Sequence, residues 1–372
     1  NFPIKNLYLF ASKKSAGKKI TYKDKSYIIK ELHNSSFKDI DIVLGAIDAK
    51  IMKSYLPAIM QDGAILIDNS SAFRMEKGIP LVIPEINPQD IYTHKGIISN
   101  PNCATIIALT ALYPLHQHAH IKRMIVSTYQ AVSGAGEKGI NELKEQIQGS
   151  FAHQVFPYPI AFNLIPQIGD FEQNDYTSEE MKMQNEGRKI LHQNDLSISC
   201  TCVRVPVYRS HSLSIYVEFE KEIDVSTAKN LLADAKGVIL LDDNTQYPMP
   251  LYSSEKDDVY VGRIRQDLKN KNHALHLWCC GDQLRKGAAL NAVQIAELLQ
   301  WIKNLWGLIP KHYLIVLYFG GTVFAFLNCF MGYRLRKVWG CILGILIGGG
   351  AGAAAGYFLL QDKMMAILCA AG

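Results

Sequence analysis

Short runs that are apolar on both faces recur at 7–11, 27–32, 42–46, 64–68 and 96–99, separated by helical or polar segments. Runs buried on both sides predict strands of a parallel α/β sheet joined by crossovers. Further on the pattern changes: strand-like segments at 124–130, 198–207, 213–219, 259–264 and 275–280 are joined by few crossovers, with helices expected at 178–192, 225–235 and 288–301. This predicts a mixed or antiparallel second domain. Residues 158–167, interrupted by Pro159 and Pro166, read as irregular chain. Near the C-terminus, 313–333 and 338–361 are uncharged, mostly apolar and each long enough to cross a bilayer as a helix. They flank a basic loop with Arg334, Arg336 and Lys337, and together predict a transmembrane helical hairpin.

Composition changes this picture little. The 372 residues allow two or three domains, and a net charge of +5 without a long basic block argues against a nucleic-acid partner. The eight cysteines show no CxxC pair and follow no signal peptide, which points to free thiols in a reducing compartment.

Candidate chemistry is concentrated at turns. The strand at 96–99 ends in Asn100-Pro101-Asn102, and a helix-like run begins at Cys103. A thiol there meets exposed N–H groups and the helix dipole, which stabilise a thiolate or a developing oxyanion. A small buried structural cysteine is the alternative at this point. The loop Ser12-Lys13-Lys14-Ser15-Ala16-Gly17 follows a strand, where basic groups accept the 2′-phosphate of NADP. The GxGxxG loop expected before that strand is absent, and a first βα unit needs about 25 residues ahead of Asn1. The nucleotide-binding domain therefore reads as truncated, with two unpaired strand edges. Ala131-Val132-Ser133-Gly134-Ala135-Gly136 is flexible enough to approach a ligand closely. Glu179 and Lys182 stand one helical turn apart, and Cys200, Cys202 and Arg204 share one side of a strand. His116, His118 and His120 alternate, which places them on one face of a strand within a solvated connection.

In this order these segments resemble the bacterial-type aspartate-semialdehyde dehydrogenases. The resemblance covers about residues 1–300 and rests on the 11–18 loop, Asp68-Asn69-Ser70-Ser71-Ala72-Phe73-Arg74, Asn100-Pro101-Asn102-Cys103, 127–136, 158–167, 179–183, Arg204-Val205-Pro206-Val207 with His211-Ser212, 261–265, and Lys286-Gly287-Ala288-Ala289 with Asn291. It implies a truncated Rossmann-like dinucleotide-binding domain over 1–102 and an α+β catalytic and dimerisation domain over 103–285. A C-terminal helix at 286–304 returns to the first domain, and the membrane segment lies at 313–372.

The implied activity is reductive dephosphorylation of aspartyl phosphate to aspartate semialdehyde with NADP, on the route to lysine, diaminopimelate, methionine and threonine, in a homodimer whose catalytic domain is cytoplasmic; the C-terminal segment, if it belongs to the protein, adds membrane association. Cys103 is the implied nucleophile, His211 the general acid/base, and Gln130 the group that orients the covalent intermediate. Arg204 matches the arginine for the substrate α-carboxylate, Glu179 the residue facing its amino group, and Lys182, Arg74 and Asn102 complete the substrate and phosphate site. Lys14, Ser15, Ser133, Gly134 and Asn291 are the implied NADP contacts. Leu213, where relatives often carry Glu, and Lys14, where many have Arg, depart from the pattern. The related N-acetyl-glutamyl-phosphate reductases carry Gly where Asn102 stands. A non-catalytic remnant fused to a membrane protein is the other reading.

Overall fold

The computed structural model describes residues 2–307. The described residues as far as Trp301 form one unit. The hairpin expected at 313–372 therefore lies outside the described residues; among those described, no helix is long and apolar enough to cross a membrane.

The first hundred residues build two small sheets. β1 (Leu9–Ala11), β2 (Lys19–Tyr22) and β3 (Lys25–Glu31) form the order β1-β3-β2, with β1 parallel and β2 antiparallel to β3. β4 (Ile42–Gly45), α1 (Ala49–Gln61), β5 (Ile65–Asp68) and β6 (Ile97–Ser99) follow, and β4-β5-β6 is wholly parallel. The single parallel sheet expected from the pattern is thus corrected to two, and β1 and β4 each keep an edge without a strand partner among the described residues. The pattern also missed β2. Its two-residue hairpin turn places Lys23 (φ 48°) and Asp24 (φ 61°) in the left-handed region, a geometry usually signalled by Asn-Gly, so Lys-Asp gave no cue.

α2 (Cys103–Ala119) leads into β7 (Ile121–Ala131), and α3 (Gly136–Ile147) and α4 (Ser178–Ile190) precede β8 (Ser197–Val205) and β9 (His211–Phe219). α5 (Val225–Ala233), β10 (Val238–Leu240), α6 (Pro250–Ser253), β11 (Val259–Gln266), β12 (Ala274–Gly281) and α7 (Leu290–Gly307) complete the described chain. The third, six-stranded sheet has the order β10-β11-β12-β9-β7-β8, mixed as expected, with parallel pairs at both ends and antiparallel pairs between. Its inner face, with α2, α4 and α5, buries the main core through residues such as Leu109, Leu112, Met124, Leu213 and Leu277. Its outer face carries half-buried Tyr129, Ser214, Tyr216, His276 and Trp278.

The alternating histidines are corrected too. His116 and His118 lie in the last turn of α2 and His120 is its C-cap, with the His116 and His120 rings 4.6 Å apart. Burial of the eleven apolar and small positions on α2 outweighs both the period-two polar ending and the internal Pro114.

Candidate active site

The nucleophile candidate is placed by a helix cap. β6 ends at Ser99, and Asn102 is the N-cap of α2, its Oδ1 accepting from the N–H groups of Ala104 (3.0 Å) and Thr105 (3.3 Å). Cys103 is the first helical residue and is half-buried. Burial, and then the Glu179 carboxylate, push its thiol up to about 12, against the pull of Arg74, Arg204 and the Ala104 N–H. The thiolate anticipated at a helix N-terminus is therefore corrected to a neutral thiol: desolvation and a nearby anion outweigh the dipole.

Three strands and one helix bring the remaining residues to this point. Gln130 at the end of β7 is in register with Arg204 on β8, and His211 opens β9. α4 begins at a capping box in which Thr177 and Glu180 exchange hydrogen bonds, and it presents Glu179. Glu179 accepts from Asn102 Nδ2 (2.8 Å), Gln130 Nε2 (3.4 Å) and Lys182 Nζ (2.9 Å). Burial opposes its charge, but Lys182 and the hydrogen bonds from Lys182 and Asn102 win, and its carboxyl lies below the usual range. Arg204, buried, donates from Nη1 to the Ala131 carbonyl at 2.7 Å and lies over the Phe156 ring, its Cζ 5.6 Å from the centroid.

His211 is fully buried. Its Nδ1 accepts from the Ala131 N–H at 3.1 Å, so the neutral ring carries its proton on Nε2, and that atom has no partner among the described residues. Burial first, and then Arg204, bring its pKa down to about 3.

Arg74, in the loop after β5, donates to Ser70 O (3.0 Å), Asn69 O (2.9 Å) and Glu186 Oε1 (3.0 Å). Glu186 escaped the sequence reading, although it lies seven residues after Glu179, two turns along the same helix face. Glu85 and Gln294 were also missed; with Lys286 and Asn291, which the motifs did include, they form a buried polar cluster. Lys286 Nζ donates to Glu85 (2.6 Å), Gln294 (2.7 Å) and Asn291 (3.0 Å), and Asn291 in turn donates to Asn100 Oδ1 (2.7 Å). The next residue, Gly287, closes on Cys103: a Cβ added there would stand 3.0 Å from the Cβ of Cys103. No local pattern announces a contact between residues so far apart in the chain.

The implied cofactor residues divide. Gly134 follows β7 so closely that a Cβ on it would come within 2.7 Å of Arg204 Nη1 and 3.5 Å of the His211 ring. Ser133 is buried, and its Oγ accepts from the Gln283 carboxamide. Asn291 is fully buried, its carboxamide donating to Val82 O and Asn100 and accepting from Lys286. Lys14 and Ser15 lie in the turn closed by the Ser15 N–H on Ser12 O (2.9 Å), with the Lys14 side chain exposed. An exposed lysine fits a ribose phosphate, and the Gly134 backbone fits a ligand's close approach to the cluster. A glycine-rich pyrophosphate loop is not among the described residues.

Residues 1–94 match the family model for the semialdehyde dehydrogenase NAD binding domain, and 112–286 that for the semialdehyde dehydrogenase dimerisation domain. Over 317 residues the chain is 50% identical to the aspartate-semialdehyde dehydrogenase of Campylobacter jejuni, covering 82% of this chain and 92% of that protein. The chain belongs to the aspartate-semialdehyde dehydrogenase family. The Bacillus subtilis aspartate-semialdehyde dehydrogenase is 46% identical over 315 residues, covering 81% of this chain and 91% of that protein. Among solved structures, aspartate semialdehyde dehydrogenase II from Vibrio cholerae complexed with ASA matches with a TM-score of 0.78 at 39% identity, covering 80% of this chain and 90% of that one. The NAD(P)-binding and catalytic parts of the aspartate-semialdehyde dehydrogenase fold are thus both present, and Cys103 lies between the two matched segments.

Proposed function

We propose that this chain is an NADP-dependent aspartate-semialdehyde dehydrogenase that reductively dephosphorylates aspartyl phosphate through a thioester on Cys103. The observation that carries this is the convergence on the Cys103 turn of Arg204, Glu179, Gln130 and an unpartnered His211 Nε2–H from four separate elements. Arg204 holds the α-carboxylate and Glu179 the amino group. Sγ of Cys103 bonds to the acyl carbon, the carbon–oxygen bond to phosphate breaks, and Arg74 and Lys182 balance the charge of the departing dianion. The resting thiol is neutral, so its proton leaves during attack and passes to the departing phosphate, which goes as the hydrogen phosphate dianion. His211 Nε2–H donates to the oxygen of the adduct, and Gln130 helps to orient it. NADP, when bound through Lys14, Ser15 and the Gly134 backbone, supplies or accepts the hydride.

We assign 1–102 to cofactor binding, 103–285 to catalysis and dimerisation, and 286–304 to a helix returning to the first part. The outer face of the β10–β8 sheet, with Tyr129 and Trp278 ring centroids 5.4 Å apart, is the surface on which a homodimer forms. Free thiols and NADP use support a cytoplasmic catalytic domain in amino-acid biosynthesis.

The test is phosphate-dependent reduction of NADP with aspartate semialdehyde. Activity abolished by Cys103→Ala supports the reading; robust turnover in that variant overturns it.

A further inference from the structure

Glu186 lies on α4 one turn beyond Lys182 and is buried. Its two oxygens serve two different parts of the site: Oε1 accepts from Arg74 Nη1 at 3.0 Å, and Oε2 accepts from the backbone N–H of Asn102 at 2.6 Å. Asn102 is the residue that caps α2 and precedes Cys103, so one carboxylate ties the guanidinium to the nucleophile turn. Arg74 also donates to Ser70 O and Asn69 O, which engages three of its five N–H groups and leaves two for an incoming anion. A guanidinium paired with a buried carboxylate attracts a dianion less than an unpaired one, since the two charges largely cancel a few ångströms away. In a site that must release phosphate at every turnover, that attenuation matters.

We propose that Glu186 is a positioning residue that sets the strength of the phosphate subsite: it tempers Arg74 so that phosphate exchanges, and it holds the Asn102 peptide so that Cys103 stays in register. This rests on the reading of Arg74 as a phosphate ligand. Glu186 touches neither the reacting atoms nor the phosphate, and acts through the two residues it bridges.

The experiment uses the full chain, with inorganic phosphate as the probe, and measures separate KM values for phosphate and aspartate semialdehyde. In Glu186→Gln the amide oxygen still accepts from the Asn102 N–H, while an NH2 donor replaces the carboxylate oxygen beside Arg74, so both the negative charge and that hydrogen bond to the guanidinium are gone. The KM for phosphate is expected to fall roughly three- to tenfold, with the KM for aspartate semialdehyde within about twofold of wild type. An unchanged or raised phosphate KM in folded Glu186→Gln overturns the proposal, as does a parallel shift of both KM values, which a merely structural role produces.

Should Glu186→Gln fail to fold, Glu186→Asp decides. It keeps the charge but is one methylene too short to bridge both partners, so kcat falls while the phosphate KM stays within about twofold; wild-type kcat there removes the positioning role. Arg74→Ala separates the two layers of the argument. A phosphate KM unmoved by Arg74→Ala overturns the phosphate reading itself, whereas a KM raised by Arg74→Ala and unmoved by Glu186→Gln overturns only the role of Glu186.

Discussion

The Ala131 N–H donates to Nδ1 of His211 at 3.1 Å, which leaves the ring's proton on Nε2, a buried atom without a partner among the described residues. One backbone group thereby selects the tautomer that can donate to a substrate oxygen. The Ala131 carbonyl, on the same residue, pins Arg204 at 2.7 Å, so the proposed acid and the proposed carboxylate clamp share one anchor.

Because burial holds His211 at about 3, its charge state does not change near neutrality, and the ring Cε1–H resonance is expected to stay fixed from pH 8 to 5. The unfolded chain binds a proton at this residue near the ordinary histidine value while the native state does not. Stability from neutral His211 is therefore complete above that value and is lost as pH falls toward the native one, at about 1.4 kcal/mol per pH unit. Urea unfolding from pH 7 to 4 checks this as a difference in slope between wild type and His211→Asn. The same variant is expected to lower kcat by about 10²- to 10⁴-fold.

The thiol of Cys103 sits at about 12, so its thiolate fraction rises tenfold with each pH unit across the neutral range. Alkylation of the free enzyme by iodoacetamide is expected to climb steadily from pH 7 to 10 with no plateau. The Glu179 carboxylate is the charge that opposes the thiolate, and Glu179→Gln is expected to speed alkylation at pH 8 while depressing turnover. A plateau near pH 7 would show a thiolate already formed.

Gly287 permits the packing of the nucleophile turn. A Cβ there stands 3.0 Å from Cβ and 3.3 Å from Cα of Cys103, and the chain around both residues is fixed by hydrogen bonds. Gly287→Ala is expected to displace Cys103 and reduce kcat by about tenfold or more, with a destabilisation of about 1–3 kcal/mol measured by urea unfolding.

Lys286 and Glu85 form a buried ion pair at 2.6 Å. Removing one partner strands the other, and Lys286→Met is expected to cost about 3–5 kcal/mol of stability. The double variant Lys286→Met with Glu85→Leu is expected to recover a substantial part, which denaturant titration of the two proteins checks.

The outer sheet face offers a direct test of assembly. Trp278→Arg places a charge beside Tyr129 on that face and is expected to shift the protein from dimer to monomer in sedimentation velocity.

Most strands of the three sheets, though not β2 or β10, the helices α4, α5 and α7, and the Cys103 turn were legible in the chain because burial periodicity and the Pro-Asn cap are local signals. The same holds for Glu179, Lys182 and Arg204, whose residue types stand at spacings that share a helix or strand face. Motif order alone carried the family, including His211, since a lone histidine at a strand start has no distinguishing neighbour. Other features were settled only by the tertiary structure. The split of the first sheet depends on which strands pair, and α2 persists through Pro114 and its polar end because its other faces are buried. The neutral state of the Cys103 thiol depends on desolvation and on Glu179, 76 residues away in sequence, overriding the helix dipole that the sequence advertises. Glu186 bridging Arg74 to Asn102, and Gly287 closing on Cys103, join segments that the chain keeps far apart. Local order in the chain determined which groups are present and on which elements, whereas desolvation and long-range pairing, which exist only once the chain is packed, decided how each is charged and what holds it in place.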